Sequence, residues 1–101
     1  MALDPHTVLS LASPRWRRVA ELAATTLESA RPRFSRTVVA GLPAVTDGTE
    51  IIIVTHPLWR TERSGQGAEL EAASDEAAAR GLAIDPEHGF VSVFEALRRP
   101  A

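Results

Sequence analysis

The longest aliphatic run in the chain, Ile51-Ile52-Ile53-Val54, carries no polar residue across four consecutive positions. A strand with one solvated face alternates apolar and polar side chains, whereas a strand covered on both faces does not, so this run predicts a fully buried strand. It leads into Thr55-His56-Pro57-Leu58-Trp59, where a proline that offers no donor to a ladder ends it. Upstream, Thr37-Val38-Val39-Ala40 predicts a second strand. Gly41-Leu42-Pro43 breaks that strand and Asp47-Gly48 marks a tight turn. The two strands are therefore expected to pair as a hairpin with an irregular loop between them.

Helical spacing takes over on either side. Trp16, Val19, Ala20, Ala23, Leu27 and Ala30 share one face, after Ser13-Pro14, a capping residue followed by a proline suited to the first helical position. Arg31-Pro32 ends this helix, because the residue before proline avoids helical geometry. The same grammar at Leu3-Asp4-Pro5 predicts a short preceding helix. Beyond a polar loop from Arg60 to Gly67, a helix is expected from about Ala68 to Arg80, with Leu70, Ala73 and Ala77 as its narrow apolar stripe. Gly81 stands where a left-handed C-terminal cap is wanted, and Leu82 is placed to pack back over the last turn. A short strand at Leu82-Ala83-Ile84, a turn over residues 85–89 and an extended piece at Phe90-Val91 follow. Ser92 and Glu95 then form a capping-box pair for a last helix through Phe94 and Leu97, with Arg98 and Arg99 at its negative end and Pro100 after it. The order α-α-β-β-α-β-α makes this an α/β protein, a single small domain over residues 1–101, with a mixed sheet of three to four strands flanked by helices.

Composition narrows the chemistry. A chain of 101 residues suits one domain, and 45% hydrophobic with 24% charged residues is a globular balance. Many of the apolar residues are alanines, which bury little area each, so the core has little to spare. With no cysteine, disulfides, thiolate zinc sites and cysteine nucleophiles are excluded. No signal peptide or membrane span is legible, which predicts a cytoplasmic protein without a membrane partner. All eleven basic residues are arginines, so a Schiff base or a lysine general base is excluded within this chain. Residues 13–36 hold six arginines against two glutamates, a net +4, whereas residues 51–101 hold five arginines against eight acids, a net −3. That asymmetry admits an anionic partner on the first long helix, Arg15, Arg17 and Arg18 in particular; it also fits a solvated helix face with intrahelical ion pairs.

In open α/β sheets ligands lie beyond the carboxyl ends of the strands. Here that end carries Thr55, His56, Trp59 and Arg60, followed by Arg63, Ser64 and Gln66. One imidazole, one large stacking surface and two guanidiniums suit recognition of an anion or a nucleotide base better than bond breaking. The same residues also suit a plain structural role, with Pro57-Leu58-Trp59 turning the chain and His56 capping backbone groups. His6, His56 and His88 are far apart, and no HExxH, Asp-rich loop, GxGxxG, phosphate loop or GxSxG elbow is present, so neither a metal nor a cofactor is expected. Asp47 and Glu50, three apart across a turn, have a spacing that can bring two carboxylates to one ion, and equally suit a turn aspartate and a strand-edge glutamate.

The succession of helix, hairpin, further strand region, helix and strand, with acids at Asp47 and Glu50, resembles the core of the PD-(D/E)XK nuclease superfamily over roughly residues 14–94. Such nucleases hold magnesium with an acid near a hairpin turn and an acid-x-lysine on the next strand. The resemblance matches Asp47 to the first acid and Glu50 to the second, but sets Ile52 at the lysine position, which implies a degenerate site. Two strings, Ile52-Ile53-Val54-Thr55-His56-Pro57-Leu58-Trp59 and Phe94-Glu95-Ala96-Leu97-Arg98-Arg99-Pro100, are similar to C-terminal extensions of large bacterial DEAD/DEAH-box helicases, including those of defence systems. The helicase motor itself is absent from the sequence. The resemblance implies a non-catalytic accessory or interaction domain of a nucleic-acid-processing system, with nucleic acid or a protein as partner. The alternatives are a metal-dependent nuclease using Asp47 and Glu50, and a protein–protein adaptor anchored by Leu58-Trp59.

Overall fold

Helix α1 (Pro14–Ala30) begins at the proline and ends where Arg31 precedes Pro32, as its local signals require. The computed structural model describes residues 14–59, 67–84 and 89–98. The short helix expected near Leu3 and the expected turn residues 85–88 lie outside the described residues. One face of α1, formed by Trp16, Ala20, Ala23, Ala24 and Leu27, is buried.

Three consecutive antiparallel strands follow, β1 (Ser35–Val39), β2 (Leu42–Thr46) and β3 (Glu50–Thr55). The irregular loop expected between two strands is therefore itself a strand, and one with strands on both sides. Two features allow this. Ala40 (φ 48°) and Gly41 (φ 80°) both adopt positive φ, the geometry of a type I′ two-residue hairpin turn, so Gly41 reverses the chain instead of merely ending a strand. Pro43 stands opposite Val38, one step beyond the Val39–Leu42 pair that closes the turn. In an antiparallel ladder that step is a non-hydrogen-bonded pair, so β1 requires no donor from residue 43. On the other side the β2–β3 ladder begins at Ala44–Ile53.

After helix α2 (Gly67–Ala79) the chain returns parallel to β3, as β4 (Ala83–Ile84) and then β5 (Phe90–Ser92). Both short strands lie along the same side of β3. Ile51 pairs with Ile84 and Ile53 with Phe90, so the register jumps by four residues between them. β4 and β5 thus occupy one strand position in two pieces, and the sheet is a mixed one of four positions built from five strands. α2 ends as its sequence predicts: Gly81 (φ 78°) carries the left-handed cap, with Gly81 N–H bonded to Ala78 O (3.0 Å) and Leu82 N–H to Ala77 O (2.9 Å). Ser92 caps helix α3 (Val93–Arg98), its Oγ accepting the Glu95 N–H (3.2 Å).

Strand alternation and side-chain contacts assign the faces. Arg36 reaches Glu21 and Thr25 of α1, so the face holding Arg36, Val45, Ile52 and Val54 lies under α1. Thr37 receives Arg80, which follows α2, so the face holding Thr37, Ala44, Ile51 and Ile53 lies under α2. With a helix on each face, all four aliphatic residues of β3 are buried, as their unbroken apolar run requires. The result is a small compact α/β domain with helices flanking a mixed sheet. Among the described residues, no helix is long and apolar enough to cross a membrane.

Candidate functional site

The carboxyl end of β3 is built from local bonds. Thr55 Oγ1 donates to Val91 O (2.9 Å), tying the strand end to β5. His56 and the next three residues form a turn in which Trp59 N–H bonds to His56 O (3.0 Å). Leu58 N–H donates to His56 Nδ1 (3.1 Å), so the imidazole also props the turn it begins. Its ring stands 6.1 Å from that of Trp16, at the start of α1, and only 3% of His56 is exposed. Trp59 is half-buried, its ring 5.6 Å from Phe90 of β5. The polarity of the sheet therefore does gather these aromatic and imidazole groups at one end. They meet in two separate pairs, however, Trp16 with His56 and Trp59 with Phe90. Arg60 and Arg63, expected at the same edge, lie outside the described residues.

The three arginines of α1 divide between two sides of the helix. Arg17 lies over the Trp16 ring at 5.7 Å, and its Nη1 donates to Gly41 O (2.5 Å), so it braces the β1–β2 turn. Arg15 and Arg18 are exposed on the outward side, which they share with Leu22, itself 57% exposed.

Asp47 and Glu50 both stand at the β2–β3 turn and both are exposed. Asp47 Oδ1 accepts the N–H of Glu50 (2.8 Å) and of Thr49 (2.9 Å), which makes it the organiser of the turn. The Glu50 amide, then the Thr49 amide, and more weakly the charge of Arg33 hold its carboxyl below the usual carboxylate range. Among the described residues no cluster of three or more His, Asp or Glu side chains has the arrangement of a metal site.

A second set of polar contacts runs along β1, and sequence spacing hints at only one pair of it. Arg36 pairs with Glu21 and donates to Thr25 Oγ1 (2.8 Å), while its backbone N–H donates to Glu28 Oε2 (3.0 Å). Arg80 pairs with Glu76 (2.5 Å) and reaches Thr37 Oγ1 (3.0 Å) and Val38 O (2.7 Å). Only Arg80 and Glu76, four apart along the chain, carry a spacing signal; the other partners are brought together by the sheet.

Fold and site together define a small α/β domain whose strand-end polar groups are tied into its own backbone and whose first helix presents arginines outward. The chain matches no family model, and no curated protein or solved structure aligns with it significantly.

Proposed function

We propose that this chain is a non-catalytic interaction domain that takes an anionic partner on the outward face of α1, in the setting of a nucleic-acid-processing system. The observation that carries this reading is the charge at the start of α1. Arg15 and Arg18 stand on that outward face near the positive end of the helix macrodipole, and no acid stands in its first turn. A cation near this end of a helix is disfavoured by the dipole, and a bound anion is attracted by both the dipole and the guanidiniums. The polar groups with the best catalytic credentials, His56 Nδ1 and Asp47 Oδ1, accept backbone N–H groups, which favours holding over cutting. The resemblance to helicase accessory domains supplies the setting.

Fluorescence anisotropy with single- and double-stranded DNA at two salt concentrations tests the reading. The double variant Arg15→Ala/Arg18→Ala should weaken binding uniformly across sequences and reduce the salt slope by about one for each phosphate no longer neutralised. Arg17 is left intact because it braces Gly41. No binding at low salt, or binding indifferent to salt, rules out nucleic acid as the partner.

A further inference from the structure

β1 is an outer strand: β2 lies on one side of it, and no described strand lies on the other. The hairpin settles which of its backbone groups face outward. The pair closing a two-residue turn exchanges both hydrogen bonds, and the pattern then alternates. Val39, Thr37 and Ser35 accordingly turn their N–H and C=O groups toward β2, whereas Arg36 and Val38 turn theirs away from the sheet. A row of outward donors and acceptors is a template for another strand.

Half of that row is already taken. The Arg36 N–H donates to Glu28 Oε2 (3.0 Å), and the Val38 carbonyl accepts from Arg80 Nη2 (2.7 Å). Glu28 reaches the edge from α1 on one face of the sheet, and Arg80 from the end of α2 on the other. Each of these bonds is tied to a second: the Arg36 guanidinium to Glu21 and Thr25, the Arg80 guanidinium to Glu76 and Thr37.

We propose that these two bonds lock the β1 edge against strand addition, and that the strand they exclude is β1 of a second copy of this chain. The register makes β1 self-complementary. Antiparallel pairing centred on Thr37 sets Arg36 opposite Val38 of the second copy, so every outward donor meets an outward acceptor. It also covers Val38, which is 48% exposed and is one of two exposed large apolar side chains among the described residues. Glu28 and Arg80 occupy one donor and one acceptor of that same register, so the pairing cannot form until both withdraw.

The test is the mass of the full chain by light scattering over a concentration series. The wild type should remain monomeric, and Glu28→Ala/Arg80→Ala should shift to twice the monomer mass as concentration rises. Adding Val38→Pro, which deletes an outward N–H with no partner among the described residues, should restore the monomer. A folded double variant that stays monomeric overturns the proposal, as does a dimer that survives Val38→Pro or a wild type that already dimerises through β1. If the double variant does not fold, amide hydrogen exchange on the wild type decides. The Arg36 amide should be protected and the equally outward Val38 amide should exchange fast; equal rates overturn the lock.

Discussion

Replacing Gly41 by alanine isolates the conformational cost of the turn on which β2 depends. Gly41 has φ 80°, and a Cβ added there would meet no heavy atom within 4 Å. The substitution therefore introduces no clash, and its whole effect is conformational. Placing an L-residue in the left-handed region costs about 1–2 kcal/mol. Against this, alanine restricts the unfolded chain and returns about 0.4–1 kcal/mol. The net loss is about 1 kcal/mol, which for a domain of this size lowers Tm by about 4–8 °C. Ala40→Gly runs the other way. It relieves φ 48° at a residue packed against the core, but forfeits the unfolded-state advantage of alanine and part of a methyl burial worth up to ~0.8 kcal/mol, so it should be near neutral. Urea unfolding followed by circular dichroism, with the slope checked for constancy, measures both variants. If Gly41→Ala unfolds at the wild-type midpoint, the type I′ assignment is wrong, and with it the argument for why Pro43 is tolerated in β2.

Ile53 is fully buried at the centre of β3, between Ala44 and Phe90; Ile53→Ala should cost about 2–5 kcal/mol by denaturant titration, a large share of a typical ~5–15 kcal/mol. Asp47 has its folded pKa depressed relative to the unfolded value of about 3.9. Its contribution is thus fully present above that value and is lost as pH falls through the lower folded value. Asp47→Asn keeps the Oδ1 acceptor without the charge, so its unfolding midpoint should fall less than that of wild type on acidification below about pH 4; an identical acid limb would remove Asp47 as the cause.

Features set by neighbouring residues were legible in the sequence alone. Pro14 and Arg31-Pro32 bound α1, Gly81-Leu82 close α2 and Ser92 caps α3, because each rests on bonds spanning a few residues. The burial of Ile51 through Val54 on both faces followed from the absence of alternation, and the polarity of that strand correctly put His56 and Trp59 at one end of the sheet. The tertiary structure decided what depends on a distant partner. A proline looks like a strand breaker until its cross-strand register shows that no donor is needed, so β2 was invisible as a strand. His56 reads equally as an anion-recognising or a backbone-capping imidazole until Trp16, forty positions earlier, is packed against its ring and buries it. Arg36 and Arg80 look like solvated charges until the sheet brings them and their glutamates to the β1 edge. Local geometry is written in short-range sterics and hydrogen bonds; which polar group meets which across the sheet is fixed only once strand order and register are.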